Sequence, residues 1–165
     1  MEIKTTFKNR AGDVLPVFYQ DIENISQIGD KKIHSVHAFC FCDGKMVIVY
    51  SDKKGVWSPP GGGVELGEGI EDAVVREVKE ETNMKVIKHQ FFGLQDVTQT
   101  DGVVSQTRSV CIVEPYGDFV SDPDGDITKI ELINPLEYKK YFDWGDLGDY
   151  VIKRAIGIYE KMQIE

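Results

Sequence analysis

The sequence predicts an α/β fold, specifically an α/β/α sandwich built on a mixed sheet. Three observations predict it. Short apolar stretches with strand-like alternation recur along the 165 residues. One acidic stretch, residues 70–82, has helical spacing, and a second helical pattern, residues 148–162, closes the chain. Two helices set among a group of strands suit one helical layer on each face of a sheet.

The elements follow in order. Residues 1–30 read as an N-terminal hairpin or extension, because Asn9-Arg10-Ala11-Gly12-Asp13 is a turn cluster between two extended runs. Val36 to Cys42 is an apolar strand, Asp43-Gly44 is a hairpin turn signal, and Met46 to Tyr50 is the returning strand. Gly55 to Pro60 is a short extended approach to a glycine loop, Gly61-Gly62-Gly63. A helix follows over Ile70 to Thr82. Gly69 stands at its N-cap, and Glu71 and Asp72 put negative charge at the positive end of the helix dipole. Val74, Val75 and Val78 give it an apolar stripe. Asn83 ends it, since Asn tolerates the left-handed backbone of a C-terminal cap. Val86 to Val97 and Thr107 to Val113 are strands around a polar turn at Asp101-Gly102, and Tyr116 to Asp126 is a loop. Lys129 to Ile133 alternates as a strand, and Asn134-Pro135 opens a short helix. The last helix, Gly148 to Met162, carries Val151, Ile152, Ala155, Ile156 and Tyr159 at helical spacing.

The acidic helix holds the chemistry. At ~100° per residue, Glu77, Glu80 and Glu81 share an arc of about 100°. Like charges so placed destabilise a helix by a few tenths of a kcal/mol per pair, roughly. A hard divalent cation bound by oxygen ligands gives that arrangement a reason, and Mg²⁺ binds through a few carboxylates plus substrate phosphates. A solvated glutamate face is the bland reading, but the glycine run leads straight into this helix and the two signals support one site. Arg76 stands four residues before Glu80 and can hold it by an ion pair.

The stretch resembles the Nudix box. Its pattern of Gly, five residues, Glu, seven residues, Arg-Glu, aliphatic, one residue, Glu-Glu, one residue, Gly, aliphatic falls on Gly62, Glu68, Arg76, Glu77, Val78, Glu80, Glu81, Asn83 and Met84. Asn83 replaces the final glycine, a mild change at a helix cap. The lead-in Trp57-Ser58-Pro59-Pro60-Gly61 is also similar to the family's. The resemblance implies a single Nudix domain over 1–165. It implies hydrolysis of a diphosphate linkage in a nucleoside diphosphate joined to another group, with Mg²⁺ or Mn²⁺ as cofactor. Glu77, Glu80 and Glu81 are then metal ligands, joined by the Gly61 backbone carbonyl. Arg76 orients a glutamate, and Glu68 supports the helix entry. Within the box Glu77 is the best general base, whereas some relatives use a distant acidic loop residue; Asp118, Asp122, Asp124 and Asp126 stand in such a loop.

For substrate, the family marks of three subclasses are absent: Gln99 stands where ADP-ribose hydrolases often have proline, Asp101 where some dinucleoside polyphosphate hydrolases have tyrosine, and the extended NADH-type motif is missing. A nucleoside triphosphate, plain or modified, is the default. Gly61, Gly62, Arg108 and Trp144 are the substrate-binding candidates. Arg108 binds a phosphate or pairs with an acid; Trp144, beside Phe142, covers a cleft, and Trp57, Phe91, Phe92, Tyr116 and Phe119 are further aromatics able to stack on a base. The alternative reading is a non-catalytic module sensing a nucleotide or metabolite, for which loss of a metal-site glutamate is the expected mark.

The remaining features set bounds. A net charge of -9 argues against a nucleic-acid polymer as partner, but not against a nucleotide at a metal site. No run is long and apolar enough for a membrane span, and Met1-Glu2-Ile3-Lys4 opens no signal peptide, so a cytoplasmic location is expected. Cys40 and Cys42 alternate on one side of a strand and, with no partner pair at zinc-finger spacing, read as buried thiols. His34 and His37 read as packed or solvent-facing. Many relatives are dimers, and the N-terminal segment is the candidate for pairing across a homodimer interface.

Overall fold

One strand pairing sets the frame: β3 (Ser35–Cys42) runs parallel to β8 (Gly102–Pro115), in register from Ser35↔Gln106 to Phe41↔Ile112. The computed structural model of the chain describes residues 1–123 and 125–165. The other pairings described in this nine-stranded sheet are antiparallel, so the sheet is mixed, as expected.

β1 (Glu2–Lys8) and β2 (Val14–Asp21) form a hairpin whose turn is closed by Asn9, its Oδ1 accepting the Asp13 N–H at 2.9 Å. β2 then pairs with β7 (Met84–Gln99), so the N-terminal segment extends the main sheet. β7 and β8 make a hairpin longer than the strands expected over Val86–Val97 and Thr107–Val113. Two bulges in β7, between Val86 and Lys88 and between Phe91 and Gly93, break the period-2 pattern that marks a strand in sequence.

β3 pairs with β4 (Lys45–Ser51) only through Cys40–Cys42. Past that point the two strands take different partners. β4 continues on β5 (Val56–Ser58), with β9 (Ile127–Ile133) along its other edge. β3 takes β6 (Gly61–Gly63), through Val36↔Gly62 and His37↔Gly61. The glycine run expected as a loop is therefore a strand. Its glycines serve close approach rather than turning: a Cβ on Gly61 would collide with the Val36 carbonyl, and none of the three has a positive φ.

α1 (Ile70–Thr82) has the expected bounds, and Asn83 closes it in the left-handed conformation, φ 55° and ψ 40°, with its N–H on the Lys79 carbonyl. The Asn83 Nδ2 also donates to the Asp118 carbonyl at 3.0 Å. Ala73, Val74 and Val78 pack on Val36, Ala38, Cys40, Val47 and Cys111. Val75, expected in the same stripe, is instead 42% exposed. Cys40, Cys42 and Cys111 are free and buried.

On the other face, α2 (Gly145–Ile164) packs Val151, Ile152, Ala155 and Tyr159 on Phe39, Phe41, Met46 and Phe92. It starts before the expected Gly148 because Asp143 caps it from one residue further out, its Oδ1 accepting the Gly145 N–H at 2.9 Å. The short helix after Asn134 is a 3₁₀ turn, Pro135–Lys140, capped by the Asn134 side chain. A second 3₁₀ turn, Ile25–Ile28, was not expected; Asn24 and Gln27 form a capping box around only four residues. Among the described residues no helix is long and apolar enough to cross a membrane.

Asn83→Gly keeps the left-handed cap and loses the bond to Asp118. Its unfolding free energy, from denaturant melts, should change by less than about 1 kcal/mol. Asn83→Val, which resists positive φ, should lose more, about 1–3 kcal/mol. Equal losses would mean that the side-chain bond, not the backbone, decides the position.

Candidate active site

Arg76 organises the site. A guanidinium has five N–H donors, and each is used. Nε and Nη2 grip Glu68 at 2.7 and 2.9 Å. Nη1 reaches Glu77 at 2.9 Å and Glu80 at 3.2 Å. Nη2 also donates to the Gly63 carbonyl at 2.9 Å. The fork grip is the strong form of ion pair. It holds the Glu68 carboxyl below its ordinary range, while the Glu68 and Glu77 carboxylates push the Arg76 pKa up. Arg76 thus ties the helix, the segment before it and the glycine strand together.

The glycine strand lies against the helix carboxylates. A Cβ on Gly62 would collide with Glu77 Oε1, so only glycine lets the two meet. One residue earlier, the Gly61 N–H donates to Glu81 Oε1 at 2.8 Å. A cavity of about 420 Å³ opens there, lined by Gly61, Gly62 and Gly63, by Glu77 and Glu81, by Asp122 and Asp126, and by Ser35, His37 and Gln106 of β3 and β8.

Burial pushes the Glu81 carboxyl up to about 8; the Gly61 N–H opposes this, and Glu77, Asp122 and Asp126 add to it. His37 is held well below its ordinary value by burial first, then by Arg108 and Lys54. Asp122 is 7% exposed and accepts the Ile127 N–H at 3.1 Å. Asp126 is half-buried and accepts the Ser51 hydroxyl at 3.0 Å.

The expected residues divide as follows. Glu77, Glu81, Gly61 and Gly62 line the cavity. Glu80, expected as a ligand beside them, does not line it; Arg76 holds it at 3.2 Å. Among the described residues no three acidic, histidine or cysteine side chains form a ready cage, because Arg76 draws Glu77 and the Gly61 amide draws Glu81. The donor set nevertheless fits a hard divalent cation: it is all oxygen, and the carboxylates of Glu77, Asp122 and Asp126 raise the proton affinity of Glu81. Of the loop aspartates, Asp122 and Asp126 line the cavity and Asp118 does not; Asp124 lies outside the described residues.

Trp144 is not a lining residue. It packs on Phe142 at 4.7 Å and edge-on to Phe39 at 6.4 Å, at the start of α2. Arg108 is 4% exposed, is not a lining residue and pairs with no acid among the described residues. Burial lowers its pKa to about 10. Sequence reading missed Ser35 and Gln106 and took His37 for a packed or solvent-facing residue. Its signal was weak, since only the β3–β8 and β3–β6 registers carry these side chains to the glycine strand.

A NUDIX domain family model matches residues 31–153. The Bacillus subtilis protein described as "Uncharacterized Nudix hydrolase YvcI" is 37% identical over 60 residues, 36% of this chain and 38% of its own length. The chain thus spans little more than a third of that relative. Nucleoside triphosphatase NudI of Escherichia fergusonii is 32% identical over 97 residues, 47% of this chain and 69% of that protein. The crystal structure of the B. subtilis pyrophosphohydrolase BsRppH superposes with a TM-score of 0.70 at 21% identity, covering 98% of this chain and 99% of that one. That likeness speaks for the fold.

Two outcomes follow from the geometry. Glu81 binds its proton more tightly in the fold, near 8, than at its ordinary 4.5. Its contribution to stability is therefore full below about pH 4.5 and is lost as pH rises to about 8. Metal-free Glu81→Gln, which keeps the Oε1 acceptor, should melt several degrees above the unsubstituted chain at pH 8.5 and alongside it near pH 4.5. Equal melting at both pH values would contradict the buried carboxyl. Arg76→Lys keeps the charge and loses the fork. By titration with Mn²⁺ it should bind metal about 10-fold more weakly or worse, and unchanged affinity would remove Arg76 from the site.

Proposed function

The chain belongs to the Nudix family, and on that premise we propose that it is a metal-dependent pyrophosphohydrolase cleaving a diphosphate linkage in a nucleoside diphosphate joined to another group. The carboxylate-lined cavity floored by the glycine strand carries this reading. Nucleoside triphosphates, plain or modified, are the default class, a choice the nucleoside triphosphatase among the relatives supports.

Glu77, Glu81 and the Gly61 carbonyl would hold a divalent cation, Mg²⁺ or Mn²⁺. Bound there, the cation would neutralise phosphate charge and acidify a water. Arg76 aims Glu77 through the 2.9 Å bond, and it holds Glu80 beside the site at 3.2 Å. Gly62 leaves room for Glu77. With Glu77 and Glu81 committed to the cation, the proton of the attacking water falls to a loop carboxylate. Asp126 is the more accessible of the two at the cavity, and its Ser51 bond holds it in place. We take residues 1–165 as one such domain, acting on small nucleotide-type substrates in the cytoplasm.

A phosphate-release screen with Mg²⁺ and Mn²⁺ tests this over nucleoside triphosphates, oxidised nucleotides, ADP-ribose, nucleotide sugars and dinucleoside polyphosphates. Turnover of one class should require metal and fall by at least about 100-fold in Glu81→Gln with an unchanged circular-dichroism spectrum. A folded Glu81→Gln with the unsubstituted rate would sink the assignment. Binding without turnover of any class would replace hydrolysis with nucleotide sensing.

A further inference from the structure

Among the described residues, Arg108 is a buried cation without a carboxylate. Among the described residues its bonds are to the Thr107 carbonyl at 3.4 Å and to Gln106 Oε1 at 3.2 Å. Such a charge is costly to bury unpaired, and this chain has acids in excess. Its effect falls on Gln106. A guanidinium only donates, so the Gln106 atom facing it must be the oxygen. Gln95 Nε2 donates to the same oxygen at 3.4 Å. With Oε1 taken by two donors, the two Nε2 hydrogens are what Gln106 has left to offer the cavity it lines. Ser35, its register partner on β3, lines the same wall, and among the described residues its buried hydroxyl has no partner. A buried hydroxyl and a fixed amide presenting donors side by side call for an acceptor from outside the chain.

We propose that Gln106, its amide fixed by Arg108, is a specificity-determining donor that binds an acceptor oxygen of the substrate at the β3–β8 wall, with the Ser35 hydroxyl as second donor. Arg108 is a positioning residue and does not itself meet a phosphate, which revises its expected role. The inference rests on the cavity being a nucleotide site. The oxygen is either a nucleobase carbonyl or a phosphate oxygen.

The test is calorimetric binding, in Mg²⁺, of methylene-bridged, non-hydrolysable analogues of inosine triphosphate, adenosine triphosphate and inosine diphosphate to the full chain. Inosine offers a carbonyl where adenosine offers an amine. If the base supplies the oxygen, the unsubstituted chain should prefer the inosine triphosphate about 10-fold, and Gln106→Glu, which turns donor into acceptor, should abolish or reverse that preference. If a phosphate supplies it, the two bases bind alike, and Gln106→Glu weakens the triphosphates about 10-fold more than the diphosphate. Arg108→Met frees the amide to turn over and should shrink whichever preference is found, while Arg108→Lys, still a donor, should retain it. Should Arg108→Met fail to fold, the Gln106 variant decides. Unchanged affinities in Gln106→Glu, an equal loss across all three ligands, or no binding by the unsubstituted chain would each overturn the proposal. Hydrolysis is not read here, so a chain that shows the preference but turns nothing over would sink the hydrolase reading and leave this one standing.

Discussion

The geometry of the site depends on the five hydrogen bonds of Arg76. Four negative or partly negative groups accept these bonds, three carboxylates and the carbonyl of Gly63, and the Glu65 carboxylate stands further off at 3.8 Å. Without that cation, Glu68, Glu77 and Glu80 would repel one another across the helix and the segment before it. With it, the helix can carry clustered carboxylates, the segment before the helix is tied to its second turn, and the glycine strand is held against Glu77. Lysine, a single compact charge, cannot reach so many partners in fixed directions. Glu81 is left out of this network and meets the Gly61 amide instead. It is therefore the carboxylate whose proton affinity burial controls.

A second constraint lies in the sheet. Because β3 and β4 stay paired only through Cys40–Cys42, β5 and β6 can enter beside them, and the glycine strand becomes a thin partition. A helix packed on one face and side chains of β3 and β8 then border the same cavity. Its two walls differ in character. The α1 side and the loop after β8 offer acceptors, Glu77, Glu81, Asp122 and Asp126. The β3–β8 side offers donors, with Arg108 bonded to Gln106. A polyanionic substrate with a cation on one side and hydrogen-bond donors on the other meets complementary chemistry on both.

The box residues were legible because their chemistry depends on spacing within one helix. The bounds of α1, the cap at Asn83 and the pairing of Arg76 with Glu80 are all local consequences of sequence. The strand at Gly61–Gly63 was not legible, since three glycines carry no side-chain alternation and the reason for them is the approach of Val36 and Glu77 from elsewhere in the chain. Val75 shows the limit of a helical wheel: a stripe is only as wide as the sheet it meets, and this sheet covers Val74 and Val78 but not their neighbour. Gln106 was invisible for a related reason. An amide in a polar strand says nothing about which of its ends faces a cavity until the donor-only Arg108 is seen beside it. Trp144 stands apart from the cavity: its ring, partly exposed, packs on Phe39 and Phe142 at the start of α2, a placement that a turn-like stretch of sequence does not reveal.

The parallel pairing of β3 with β8 bears on how the molecule assembles. Its partners, such as Ser35 and Gln106, lie roughly seventy residues apart, so a large loop must close before the pairing gains anything. The hairpins β1–β2 and β7–β8, being local, can form ahead of it. The cavity, however, needs β3 for one wall and for the seat of the glycine strand. A nascent or partly unfolded chain can thus hold much of its regular structure and its box helix while having no site at all. Activity regained during refolding would then follow the slow closure of the sheet rather than the fast appearance of helix.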